Sequence, residues 1–259
     1  MEKWIKRICD NKSFLISFFS KIIQLIKNYI KNFRLKKVMG FKNKKVLVSF
    51  SIFSSEIINS SLHELVTIKC LENVKDVIDI GKRIGVEVDI LTNSDVGTLS
   101  AEQINDEIHI GGPLTNNYVH SYLNKFNGFT FYRKKKDKVI NVNYKIKDDC
   151  IKETNDKRGR FIRIGDTKYF LDDEKDYLIL IRFKEINNKK VKKTIHIVFN
   201  THYSKKVNVL MPFIEYPDLL YNKIKEYKHN YFLVIPIDRN TGIFEMDKIE
   251  DKTNKFNFF

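Results

Sequence analysis

Proton chemistry near neutral pH falls first to histidine, and this chain has six: His63, His109, His120, His196, His202 and His229. His109 and His196 sit inside apolar runs that read as strands, where packing is the expected role. His202 follows a strand end, the position at which open α/β sheets present ligands, and is the best single candidate for general acid–base work. The carboxylate to set beside it is Glu56, in a polar stretch with Ser49, Ser51, Ser54 and Ser55 at or just after the first strand. That stretch would face a ribose or phosphate, or is an ordinary polar loop. No HExxH, no histidine pair at metal-ligand spacing and no GxSxG occurs, so neither a metal nor a resident cofactor is expected. Cys9, Cys70 and Cys150 are odd in number and form no CxxC, which leaves no disulfide framework or zinc site. Free thiols suit a reducing, cytoplasmic setting.

A binding turn is the second kind of chemistry on offer. The segment Asp106-x-Ile108-x-Ile110-Gly111-Gly112-Pro113-x-x-Asn116 puts two glycines at the carboxyl end of a buried strand, just before a helix. Glycine lets backbone approach a ligand, and a helix N-terminus favours anions. Gly111, Gly112, Pro113 and Asn116 are therefore the candidate ligand-binding residues, for an anionic small molecule or nucleotide-like ligand. The competing account is a tight strand-to-helix turn with Thr115 or Asn116 as N-cap. Strand, Gly-Gly-Pro, two residues, Asn and helix resembles a group of uncharacterised Rossmann-like domains in bacteria and archaea. The resemblance covers roughly residues 44–237 and implies that fold, but carries no known activity. A later strand in that group ends in a glycine-rich turn. Here the corresponding stretch, Ile195 to Tyr203, has Asn200, His202 and Tyr203 in place of glycines.

The elements around these residues follow from periodicity. Lys45 to Phe50 reads as a buried first strand, 62–85 as a helix closed by Gly85, Val86 to Leu91 as a strand and Asp106 to Ile110 as a strand. Asn116 to Phe126 reads as a helix and Phe129 to Tyr132 as a strand. Val139 to Ile146 alternates as a strand, 147–159 is a charged loop, and Arg160 to Ile164 with Tyr169 to Leu171 forms a hairpin through Gly165-Asp166. Tyr177 to Phe183, Thr194 to Phe199 and Tyr231 to Ile237 are buried strands. A helical region over 205–228 is interrupted at Pro212 and Pro217. The alternation predicts an α/β, Rossmann-like fold: a mostly parallel sheet with helices on both faces, an antiparallel extension and an N-terminal amphipathic helix. Its divisions are an arm over 1–40, one α/β domain over 41–246, and a loosely attached tail over 247–259.

The formal net charge is +15, yet nine of the 47 basic residues are Arg and the remainder are Lys. Base and phosphate readout leans on the Arg fork, so the charge alone argues little for nucleic acid. About half of the excess sits in residues 1–37, with ten basic residues against Glu2 and Asp10. Within 13–33, Leu15, Phe18, Phe19, Ile22, Ile23, Ile26, Tyr29, Ile30 and Phe33 recur at helical spacing among lysines. The segment is too often interrupted by charge to read as a span, and no small-residue cleavage site follows it. It suits an anionic membrane surface or a helical partner. Two classes of function remain: a ligand-sensing, nucleotide-type binding domain, regulatory or defence-associated, coupled through this arm to a membrane or partner; or a hydrolase or glycosyl-transfer enzyme on a nucleotide-like substrate, using Glu56 and His202.

Overall fold

Strands buried on both faces read as unbroken apolar runs, and the longest such runs become inner strands of one sheet. The computed structural model describes residues 2–50, 53–55, 63–65, 68–91, 105–113, 116–134, 150–156, 160–171, 175–187, 190–201, 207–227 and 229–256. Ser51, Glu56, His202 and the stretch Val139 to Ile146 lie outside them. The first half of the chain contains α1 (Glu2–Met39), β1 (Lys45–Phe50), β2 (Phe53–Ser55), β3 (His63–Leu65), α2 (Ile68–Ile84), β4 (Glu87–Leu91), β5 (Asp106–Ile110), α3 (Asn117–Lys125) and β6 (Phe129–Lys134). The second contains β7 (Ile151–Thr154), β8 (Phe161–Ile164), β9 (Thr167–Phe170), β10 (Lys175–Asn187), β11 (Lys190–Asn200), α4 (Met211–Glu215), α5 (Pro217–Ile224), β12 (Tyr231–Asp238) and β13 (Glu250–Asp251).

The main sheet has seven strands in the order β13-β12-β10-β11-β5-β1-β4. From β4 to β11 the pairings are parallel; from β11 to β13 they are antiparallel. The sheet is thus mixed rather than mostly parallel. The reason is local: β10 and β11 are long, and only two residues separate Asn187 from Lys190, a connection short enough to join only antiparallel strands.

Alternate side chains of β10 divide the core in two. Leu178 and Leu180 join α1, α2, α4 and α5 on one face, with Val46, Val48, Ile108 and Leu233. Ile179, Ile181 and Phe183 face α3 and a second, four-stranded sheet, β7-β6-β8-β9. The expected antiparallel extension is therefore a separate layer packed on the main sheet, not a continuation of its edge. The described hairpin β8–β9 turns at Gly165, whose positive φ of 55° suits the turn.

Several boundaries differ from the periodic reading. The helix expected from residue 62 begins at Ile68, because His63–Leu65 pairs as a strand with Phe53–Ser55. The charged stretch after residue 147 contains β7, which pairs in parallel with β6. Pro212 and Pro217 do not break one helix; each occupies the first turn of its own, where a missing N–H costs nothing. The tail is docked as far as Phe256: β13 pairs with β12, and the Phe256 ring packs edge-on to Phe232 and against Phe126. Three buried apolar residues, Met246, Ile249 and Phe256, hold a segment whose polar composition suggested otherwise.

Candidate functional site

The Gly-Gly-Pro turn stands where the sequence put it, at the carboxyl end of β5. Gly111 has φ 115°, a conformation that favours glycine, and its N–H donates to the Val198 carbonyl at 2.9 Å. Pro113 is buried. Asn116 is the N-cap of α3: its Oδ1 accepts from the Tyr118 and Val119 amides at 3.0 and 3.3 Å. Its Nδ2 donates to Ser49 Oγ and to the Ile110 carbonyl, at 3.1 and 3.0 Å. Both ends of that amide are engaged by the protein, so Asn116 organises the turn from within.

Beneath the turn lies a chain of buried polar groups. Ser49 and His109 are register partners on β1 and β5, and Ser49 Oγ lies 2.7 Å from His109 Nδ1. His109 Nε2 lies 2.8 Å from Glu107 Oε2, which also accepts from the Tyr122 hydroxyl at 2.7 Å. Lys193 Nζ donates to the other carboxylate oxygen. Burial raises the proton affinity of Glu107, but hydrogen bonds and charge from His109 and Lys193 more than reverse this and hold it down at about 2. Hydroxyl, imidazole and carboxylate in series are the parts of a nucleophile relay. Ser49, His109 and Glu107 are however 2%, 0% and 1% exposed, so as it stands the series ties β1, β5, β11 and α3 together.

A second arrangement sits at the opposite edge of the sheet, where α1 ends. An α-helix leaves its last carbonyls without intrahelical partners, and here each one from Lys36 to Gly40 is met. Gly40, at φ 59°, donates its N–H to the Lys36 carbonyl at 2.9 Å, the usual left-handed cap. Arg182 Nη1 donates to the carbonyls of Lys37 and Val38, at 3.1 and 2.8 Å. His196 Nε2 meets Met39 O at 2.7 Å and Thr194 Oγ1 donates to Gly40 O at 3.0 Å. Asp106 secures the next turn by accepting from the amides of Lys42, Asn43 and Thr194, at 2.8, 2.6 and 2.6 Å.

His196 bonds a carbonyl through Nε2, so that nitrogen carries a proton. Burial, with the charges of Arg182 and Lys184, pushes its pKa down to about 3 against the pull of Met39. A lowered folded-state value means the unfolded chain takes the proton first. The stability is complete above the ordinary 6.5 and is lost as pH falls from there toward 3. We expect chemical denaturation to show stability falling between these values. His196→Gln, which can still donate to Met39, should remove about one proton, or about 1.4 kcal/mol per pH unit, from that slope. An unchanged slope would refute the assignment.

Around this anchor opens a cavity of about 820 Å³, lined by Lys36, Lys37, Arg83, Arg182, Lys184 and Lys225 together with Tyr29, Phe33, Phe41, Tyr221 and Tyr227. Among the described residues no acidic side chain lines it. Burial and the neighbouring Arg182 charge lower the Lys184 pKa, the state of a cation short of counter-charge. These residues come from α1, the ends of α2 and α5, β10 and the Gly40–Phe41 link. None of them was singled out in the sequence as part of a ligand site. The available signal was Arg182 itself, one cation in the apolar run Tyr177 to Phe183, opposite His196 in the neighbouring strand.

Among the described residues no group of histidine, cysteine and carboxylate side chains could hold a metal ion. No protein-family model matches the chain, and no curated protein matches it in sequence.

Proposed function

We infer that this chain binds an anionic, nucleotide-type small molecule and is coupled through its helical arm to a membrane surface or a partner. On this reading the parallel strands β4, β1, β5 and β11 are the Rossmann-like part of a ligand-sensing domain. The observation that carries the reading is the make-up of the cavity: six cations and five aromatic rings around about 820 Å³, with no carboxylate among the described residues that line it. Cations suit phosphate, and aromatic faces suit a planar base. Gathering the charge in a concavity favours a small anion over a duplex, which needs an extended basic face. Tyr29, Phe33, Lys36 and Lys37 belong to α1, so an occupant would touch the arm directly.

The test is thermal stabilisation of the full chain by a panel of nucleotides, with mass spectrometry of any co-purified ligand. Lys184→Ala and Lys225→Ala should each weaken binding about tenfold, roughly 1.4 kcal/mol. Undiminished binding in the double variant would remove the cavity from consideration.

The buried series Ser49–His109–Glu107 favours one competing reading, a hydrolase acting on a nucleotide-like substrate. Turnover abolished by Ser49→Ala, with binding retained, would put that reading first.

A further inference from the structure

Helix geometry fixes which way the apolar side of the arm points. Leu35, Val38 and Met39 are buried and define the docked side of α1. Counting back at about 100° per residue, Phe18, Phe19, Ile23, Ile26, Tyr29 and Phe33 centre on a line roughly 180° from that side. Each of the six is 48–73% exposed. The side between them and the domain carries Ser17, Ser20, Gln24, Lys27, Asn28 and Lys31. Over residues 18–26 the helix thus turns its polar face toward its own domain and its apolar face outward, which rules out the domain as the cover for that part of the stripe, whereas Tyr29 and Phe33 border the cavity at its root.

Charge decides among the remaining occupants. No acidic residue occurs between Asp10 and Glu56, so two copies of the stripe over residues 18–33 could form no ion pairs along a shared seam, and their lysines would repel. Lys36 and Lys37 lie on the outward side at the domain end of the stripe, and Lys21 and Lys27 flank it. No helix among the described residues is long and apolar enough to cross a membrane. An apolar stripe with basic flanks, held on the side away from a folded domain, can sink into a bilayer surface while the domain stays in water.

We propose that the outward face of α1 docks on an anionic lipid bilayer, with Phe18, Phe19, Ile23 and Ile26 at the acyl boundary and the flanking lysines among the headgroups. This rests on the arm half of the reading above and does not depend on what fills the cavity. The experiment is co-sedimentation of the full chain with vesicles of phosphatidylcholine, with and without phosphatidylglycerol, at physiological salt. The chain should pellet with the anionic vesicles alone. Ile23→Glu with Ile26→Glu should abolish pelleting without changing the thermal melt, because both side chains are 52% exposed. Replacing Lys21 and Lys27 by Gln should weaken vesicle binding about thirtyfold. Lys184→Ala, which alters the cavity and leaves the stripe intact, should pellet like the parent. A loss in Lys184→Ala would assign the lipid to the cavity and overturn the stripe, whereas failure of nucleotide binding with pelleting intact would sink only the cavity reading. Absence of pelleting, equal pelleting with neutral vesicles, or a dimer in solution that Ile26→Glu dissociates would each refute the proposal.

Discussion

Arg182→Ala should lower stability by about 3–5 kcal/mol and detach the root of α1 from the sheet. Arg182 is 2% exposed and has no carboxylate partner among the described residues. Its counter-charge is made of dipoles. Nη1 meets the Lys37 and Val38 carbonyls, Nε the His229 carbonyl and Nη2 the Tyr227 carbonyl, all within 3.1 Å. The guanidinium carbon lies 4.6 Å from the centre of the Tyr231 ring. The negative end of the α1 dipole adds to this. Truncation would strip four carbonyls of their donor at once. Arg182→Lys should recover little, since a compact ammonium cannot span four carbonyls from two separate segments. Urea unfolding gives the magnitude. Limited proteolysis gives the location, with new cleavage expected near Gly40. A loss under about 1 kcal/mol, the net worth of one ordinary hydrogen bond, would mean that other contacts hold the helix.

A loss of similar size should follow Glu107→Ala, for a different reason. Glu107 neutralises Lys193 and orients both His109 and Tyr122. Removing it leaves the Lys193 ammonium with only its longer contact to Glu185, at 3.5 Å, and strands two polar groups in the core; breaking a buried pair in this way costs about 3–5 kcal/mol. In a chain of this size that is a fall in Tm of roughly 10–15 °C. Because the folded-state pKa is held at about 2, below the ordinary 4.5, the contribution is complete above 4.5 and disappears as pH falls toward 2. The variant should therefore lose less stability than the parent over that interval. A double-mutant cycle with Lys193→Met separates the pair from the rest of the network. Additive losses at the two positions would show that the ion pair contributes nothing of its own.

Much of the architecture is legible in the sequence because local pattern decides it. The buried strands are apolar runs, and the capping asparagine precedes α3 as its residue type demands. What is not legible depends on partners distant in the chain. The Phe53–Ser55 and His63–Leu65 strands are too short for periodicity to detect. β7 is polar on its open side, and the tail is held by three apolar residues spaced too irregularly to form a pattern. The candidate site divides in the same way. Gly111, Gly112, Pro113 and Asn116 are contiguous and visible as a motif. The cavity draws one or two residues from each of several segments, at the edge of the sheet away from the one that general experience of α/β folds recommends. Arg182 and His196 look like interruptions in their strands until the end of α1 is laid over them.

Those two residues also give the arm a mechanical character. With 38 residues at about 1.5 Å each, α1 is about 57 Å long, and its docked contacts begin only near Asn32, where Arg83 bonds it, and Arg34, which pairs with Asp218. It is a lever whose fulcrum is its last two turns and whose long end extends past the domain. A tilt of about 10° at the fulcrum, one that a bound anion could impose by drawing Lys36 and Lys37 toward Lys184, sweeps the far tip through about 10 Å for this helix length. The same leverage works in reverse: a surface that sets the angle of the long end also sets the width of the cavity at its root.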